Sequence, residues 1–264
     1  MQHPVIVIGI GEMASVFSRG LLRSGYPVYP VNRKTDMPTL AKAIPEPALV
    51  LVGVGENDLQ PVLKQIPTQW RSRLGLLQNE LLPRDWQTLN LPAAPTVISV
   101  WFEKKKGTDY KVLVPSPVHG PKAALLIDAL ATLDIPAWEL TSMDELEFEL
   151  VRKNVYILTT NITGLVINRF QAETVKDMWD DYQDLAREVA DNVIDIQEWL
   201  TGHSFDREKL IDAMVEAING DLKHKCMGRS APARLNRAIE QADEAGLAVP
   251  RLRDIYNREV APEI

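Results

Sequence analysis

Three groups of residues in this sequence have types and spacings that suit chemistry. The first is Gly9-Ile10-Gly11-Glu12-Met13-Ala14, a G-x-G-x-x-A turn that follows the β-branched run Val5-Ile6-Val7-Ile8. Gly9 permits a tight turn, Gly11 leaves room for a pyrophosphate, and Ala14 lets a following helix pack close to a sheet. A helix starting there points its unbonded N–H groups and partial positive charge at the phosphates. The pattern predicts a dinucleotide-binding turn lined by Gly9, Gly11, Glu12, Met13 and Ala14. The second group is Asn32-Arg33-Lys34-Thr35, after the run Pro27-Val28-Tyr29-Pro30-Val31. An Asp or Glu here accepts from the ribose 2′-hydroxyl of NAD. Arg33 and Lys34 stand there instead, and a guanidinium suits a 2′-phosphate, so NADP is the expected cofactor. The third group is Lys153, Ile157 and Asn161, at i, i+4 and i+8, which share one helical face. A lysine and an asparagine on an otherwise apolar face need polar partners or a wet cleft, which two halves of a chain can enclose. The spacing alone also allows Lys153 to snorkel to solvent and Asn161 to be a satisfied core residue.

The elements that must position these groups fall into two textures. Up to about residue 140, short β-branched runs (5–10, 28–31, 48–54, 74–77, 96–100 and 111–114) alternate with helical patterns (15–24, 57–65 and 122–133). That alternation predicts an α/β, Rossmann-type, doubly wound parallel sheet over 1–140. The remainder, 141–264, predicts an all-α domain. Its helices are expected over 144–167, 171–200, 206–218 and 231–245, with Ser230 as N-cap of the last, Gly246 as its left-handed stop and Val249-Pro250 closing it.

Composition narrows the function classes. The formal net charge of −7 over 264 residues speaks against a nucleic-acid binder. Lys104-Lys105-Lys106 reads as a solvated loop tip, and the basic stretch Lys223-His224-Lys225-Cys226 as a solvated loop. The single cysteine, Cys226, excludes an intramolecular disulfide and fits a reducing cytoplasm. No secretory signal is read at the N-terminus, and no run reaches the roughly 18 apolar residues of a membrane span. The sequon Asn161-Ile162-Thr163 is therefore set aside. The four histidines show no metal-ligand spacing, and CxxC, HExxH, G-x-S-x-G and P-loop patterns are absent, so no metal is expected. Arg229, Arg234 and Arg237 lie near the start of the last predicted helix, where one of them can bind a substrate carboxylate; the sequence does not single one out.

The chain resembles the ketopantoate reductase family, within the broader 6-phosphogluconate-dehydrogenase-like group. Four segments carry the resemblance: the Gly9–Ala14 turn with Arg33, Leu77-Gln78-Asn79, the stretch 147–154 running on to Asn161, and the end of the 231–245 helix with Gly246-Leu247-Ala248-Val249-Pro250. It implies that Asn79 lies beside the nicotinamide, that Lys153 is the catalytic acid and that Asn161 holds the substrate. Several positions depart from the family. Glu80 stands where glycine usually follows the asparagine, and Ile157 where a further asparagine is common. Ser230, or a near neighbour, takes the place of a substrate-holding glutamate. Trp101 replaces small hydroxyl residues, and 219–230 does not align with the family's serine-containing loop. Only about fifteen residues separate Arg33 from the third strand, so the Rossmann half is abbreviated.

The resemblance implies an NADPH-dependent reductase of a small 2-oxo acid or related carbonyl compound, with a more apolar pocket than the family's. The alternative is a non-catalytic NADP-binding sensor or partner-binding protein that kept the fold. Expected partners are a small-molecule substrate and a second copy paired through the long helices, with no nucleic acid and no membrane; the expected location is the cytoplasm.

Overall fold

The computed structural model describes residues 2–261. The chain divides between Leu150 and Val151 into two compact units. In the first, β1 (Val5–Ile8), α1 (Glu12–Arg23), β2 (Val28–Val31), α2 (Met37–Ala43), β3 (Leu49–Val52), α3 (Glu56–Gln65), β4 (Leu74–Leu76), α4 (Arg84–Gln87) and β5 (Thr96–Ile98) follow one another. A hairpin, β6 (Phe102–Lys104) and β7 (Tyr110–Val112), precedes β8 (Ser116–His119), α5 (Ala123–Ala131) and β9 (Ala137–Glu139).

Seven strands form one sheet in the order β2-β1-β3-β4-β5-β8-β9. The first five are parallel, so the doubly wound Rossmann-type sheet stands as read from the sequence. β8 and β9, parallel to each other, run the opposite way. This reversal differs from a wholly parallel sheet, and its cause is the connection. β5 reaches β8 through the hairpin with no crossover helix, and only antiparallel strands can be joined so. Residues 111–114, expected in the main sheet, fall in or beside β7 of that hairpin. β1 and β3 are buried along their whole length, as their unbroken apolar runs require of central strands covered on both faces. Phe17 and Leu21 of α1 meet Leu126, Leu130 and Leu133 in the core on one face.

The long helix α6 (Met143–Ile167) starts in the first unit and continues through the second, which holds α7 (Val175–Asp181), α8 (Gln183–Thr201), α9 (Arg207–Gly220), α10 (Ala231–Ala245) and α11 (Pro250–Glu259). The helix expected over 171–200 is two helices. Thr174 and Asp177 form a capping box that starts α7, and Tyr182 leaves helical geometry at φ −132°, ψ 31°. Asp180 and Asp181 at the end of α7 oppose its dipole, whereas Asp184 in the first turn of α8 complements the dipole there. α11 was not anticipated: Pro250 does not end a helix here but occupies the first turn of the next one, where its missing N–H costs nothing. α10 keeps its expected bounds and its left-handed Gly246, but the Ser230 side chain makes no capping hydrogen bond. No described helix is long and apolar enough to cross a membrane.

The entry of α6 is fixed by a capping box. Ser142 Oγ accepts from the Glu145 backbone N–H at 3.2 Å, and the Glu145 carboxylate accepts from the backbone N–H groups of Thr141 (2.7 Å) and Ser142 (3.2 Å). The bonds from Thr141 hold the Glu145 carboxyl below its ordinary 4.5. A carboxyl depressed by folding stabilises the folded state above its ordinary range, and that contribution disappears as pH falls through the folded-state value. Glu145→Ala is expected to lower the thermal midpoint at pH 7. Its difference from the unchanged chain should close as pH falls below about 4, checked by melting curves at stepped pH.

Candidate functional site

The chain leaves β1 through α1 to β2 on one side, then crosses through α2 to β3 on the other side of β1. β1 is therefore the switch point of the sheet, and the crevice outside the carboxyl ends of β1 and β3 is where such sheets bind ligands. Gly9 sits at that end with φ +98°, and a Cβ there would lie 2.6 Å from the carbonyl oxygen of Gly53. A Cβ on Gly53 would in turn lie 3.0 Å from Cβ of Ala14, which explains the small third residue of the motif. Gly11 is different: it caps α1, and a Cβ would meet no protein atom within 4 Å. No side chain caps α1, so its first N–H groups open onto that space. The arrangement fits a pyrophosphate. Glu12 is exposed, Met13 half-buried and Ala14 buried.

The sequence motif did not include the neighbours of this turn. Gly55 caps α3 in the same manner, without a side-chain bond and with open space at its Cβ position. Lys104 was expected to be solvated with the rest of its run. It turns back instead, and its Nζ donates to the Glu12 carboxylate at 3.0 Å. The reason is packing: the hairpin lies on α1 through Phe102 and Phe17, with ring centroids 5.9 Å apart. Lys105 and Lys106 remain exposed.

Arg33 and Lys34 follow β2 in a turn where the Asn32 N–H donates to Thr35 Oγ1 and the Lys34 N–H to Asn32 Oδ1. Arg33 is almost fully exposed and donates to Asp58, in the first turn of α3, at 3.2 Å. Asn79 lies half-buried after β4. Its neighbour Gln78 is buried: Nε2 donates to the Val52 and Val54 carbonyls at 2.6 and 3.3 Å, and Oε1 accepts from the Leu77 N–H. That amide ties the ends of β3 and β4 together. Glu80 has φ +57°, a left-handed backbone that accounts for the glycine usual at this place in the resembled family. Trp101, just after β5, is buried, and its backbone N–H donates to Ser116 Oγ at 2.9 Å.

In the second unit α6 is buried on nearly every side, although Arg152, Lys153, Asn154, Thr159, Thr160, Asn161 and Thr163 are polar. Asn154 Nδ2 donates to Gln197 of α8 at 2.9 Å, and Arg152 to Glu216 of α9 at 2.9 Å. Lys153 is 6% exposed, Ile157 half-buried and Asn161 9% exposed. Arg234 Nη1, on α10, donates to Asn161 Oδ1 at 3.1 Å. Of the three candidate arginines Arg234 alone is buried; Arg229 is exposed and Arg237 half-buried. Ser230 is exposed at the start of α10. The sequon lies inside α6, out of reach of modification.

The 223–226 stretch is not simply a solvated loop. The Val175 N–H donates to the His224 carbonyl at 2.8 Å and the Cys226 N–H to Glu173 at 2.9 Å, which docks the stretch beside the start of α7. Cys226 is buried, and burial pushes its thiol up to about 12, so it stays protonated and unreactive. Among the described residues no group of three His, Cys, Asp or Glu side chains could hold a metal ion.

Compared by sequence, the chain matches no family model and no curated protein. Solved structures do match along its length. A ketopantoate reductase from Ralstonia eutropha JMP134 superimposes with a TM-score of 0.67 at 13% identity, covering 96% of each chain. The 2-dehydropantoate 2-reductase of Methylococcus capsulatus does so at 0.67 and 12%, over 97% of this chain and 95% of its own. A D-mandelate dehydrogenase solved with NADH gives 0.67 and 13% over 97% of each chain. The fold is thus that of the ketopantoate reductases, in a divergent sequence.

The two motif glycines carry opposite constraints. Gly9→Ala places a methyl group against the Gly53 carbonyl in a left-handed backbone and should cost at least about 2 kcal/mol of stability. Gly11→Val adds a Cβ that meets no protein atom within 4 Å and should cost less, about 1 kcal/mol, for the poorer helix cap. Denaturant unfolding of both variants checks this.

Proposed function

We propose that this chain is an NADPH-dependent reductase of a small 2-oxo acid or a related carbonyl compound. The observation that carries the reading is the open, uncapped start of α1 at Gly11, at the switch point of a sheet whose fold is shared with ketopantoate reductases and D-mandelate dehydrogenase. Backbone N–H groups of the 9–14 turn hold the pyrophosphate, Arg33 and Lys34 the 2′-phosphate, and Asn79 the nicotinamide end. When bound, the nicotinamide supplies a hydride from C4 to the carbonyl carbon. Lys153 Nζ donates a proton to the carbonyl oxygen as negative charge grows there. Asn161 orients the substrate, with Ser230 as a further contact, and Ile157 makes the face between Lys153 and Asn161 apolar. Two copies pair as a homodimer, as does the ketopantoate reductase of Staphylococcus aureus.

Lys153→Ala is expected to lower kcat by at least about 100-fold while leaving the NADPH dissociation constant within about twofold. Stopped-flow turnover with a panel of 2-oxo acids, beside fluorescence titration of NADPH, reads both. Surviving turnover removes Lys153 from the acid role. Cofactor bound tightly without turnover of any carbonyl compound assigns the chain to a sensor instead. Arg33→Ala should weaken NADPH by about 10- to 100-fold and leave NADH unchanged. Gly11→Val should abolish binding of either cofactor.

A further inference from the structure

We infer that Lys104 is a positioning residue for the dinucleotide: it cancels the charge of Glu12 and holds that carboxylate to the hairpin, so that the start of α1 can accept an anion. The inference rests on the proposed reading that a dinucleotide binds at the 9–14 turn, and it adds to that reading a residue from the β6–β7 hairpin.

Two requirements oppose each other at Glu12. It is the first residue of α1, directly after the Gly11 cap. A carboxylate in the first turn of a helix complements the dipole, so helix formation favours it there. A phosphate held by the same N–H groups has the same sign of charge, and the carboxylate repels it. The rest of the turn cannot offset this, because Gly9, Ile10, Gly11, Met13 and Ala14 are all uncharged. The counter-charge has to come from another part of the chain.

The hairpin supplies it, and packing aims it. Alternation along β6 puts Phe102 and Lys104 on one face and Glu103 on the other. Phe102 packs on Phe17 of α1 with ring centroids 5.9 Å apart, so Lys104 faces α1 as well, while Glu103 pairs with Lys105 at 3.0 Å. Tyr110, opposite Lys104 in the hairpin, has the Arg19 guanidinium of α1 5.2 Å above its ring and donates to the Leu133 carbonyl. With the hairpin fixed in this way, Lys104 Nζ donates to the Glu12 carboxylate at 3.0 Å and to the Lys105 carbonyl at 2.8 Å. The Lys104 side chain is 16% exposed and that of Glu12 44%. A pair with one partner so exposed adds little to stability, so stability does not account for drawing this lysine out of its solvated run. Charge cancellation does, because an ammonium largely out of water is weakly screened from its neighbours. A cavity of about 570 Å³ lies against the turn, lined by Gly9, Ile10, Ala14 and Ser15 and running along α1 to Arg23 and Pro30. Glu12 is not part of that lining; its bond to Lys104 turns the carboxylate to the hairpin.

The test is fluorescence titration with NADPH and with NADH of the unchanged chain, Lys104→Met, Glu12→Gln and the double variant. Lys104→Met keeps the stem and removes the charge. It should weaken both cofactors by about 10-fold, because both carry the pyrophosphate. Glu12→Gln should bind both at least as tightly as the unchanged chain. The double variant should recover to within about twofold of the unchanged chain, which a lysine with a merely structural role would not allow. Lys104→Arg, which keeps the charge, and Lys106→Met, which alters an exposed neighbour, should both bind as the unchanged chain does. Should Lys104→Met fail to fold, as judged by its melting curve, Lys104→Gln replaces it and should show a smaller loss that Glu12→Gln again recovers. The inference is overturned if removing the Lys104 charge leaves both cofactors unchanged, if the loss persists in the double variant, or if Glu12→Gln itself weakens both. Loss and recovery in a chain that reduces no carbonyl compound keep the role of Lys104 and remove the reductase reading. Turnover with NADPH and cofactor binding indifferent to Lys104 do the reverse, and a chain that binds neither cofactor overturns both.

Discussion

At the carboxyl ends of β1 and β3 two backbones come so close that a single carbon more on Gly9 would lie 2.6 Å from the Gly53 carbonyl oxygen. Much of the first unit follows from that approach. Because the strands touch there, the turn out of β1 must be left-handed, and only glycine adopts φ +98° without strain. Because the turn is tight, α1 starts three residues later and packs so close that a Cβ on Gly53 would lie 3.0 Å from Cβ of Ala14. α1 then faces the crevice with uncapped N–H groups, and the hairpin that lies on it brings Lys104 to Glu12. The start of α1 is thus framed by backbone and small residues, with side-chain charge at its margin.

The second unit solves a different problem, that of a helix buried with polar side chains on it. Buried polar groups are tolerated when they are bonded, and α6 uses its neighbours for this. Asn154 is answered by Gln197, Arg152 by Glu216 and the Ala213 carbonyl, and Asn161 by Arg234. Each of the three side chains reaches a different helix, α8, α9 or α10, so these contacts tie α6 to all three neighbours. A rigid α6 holds Lys153 and Asn161 on a shared face, which a loop could not do to the same accuracy.

How much of this could be read in advance depends on how local its cause is. The Gly9–Ala14 turn, β1 to β5 and the bounds of α10 are written in short stretches of pattern, and they were legible. The break between α7 and α8 was masked because residues on both sides of Tyr182 keep helical periodicity; only the aspartates at 180, 181 and 184 marked it. α11 was missed because Val249-Pro250 ends one helix and begins another equally well. β8 (Ser116-Pro117-Val118-His119) and β9 (Ala137-Trp138-Glu139) carry no β-branched run, and β8 holds a proline, so their pattern reads as loop. The residues around the candidate site divide in the same way. Gln78, Lys104 and Arg234 act through partners 24 to 92 positions away in the chain, and no local pattern reports such contacts. Burial alone singles out Arg234 among three nearby arginines, and burial is a property of the fold.

Cofactor choice shows why the non-local part matters. Read along the chain, Arg33 and Lys34 alone argue for a 2′-phosphate. In the fold, Asp58 enters the same neighbourhood from α3 and holds Arg33. With both side chains largely in water, the pair is worth less than about 1 kcal/mol, so a phosphate displaces Asp58 from Arg33 at little expense. The displaced carboxylate then lies near that phosphate and repels it, while the same carboxylate is the type of group that accepts from a ribose 2′-hydroxyl. The proposed preference for NADPH therefore depends on the difference between two opposed charges on different elements. Lys34, which makes no ion pair among the described residues, adds its charge to the side of Arg33 and tilts the balance toward the phosphate.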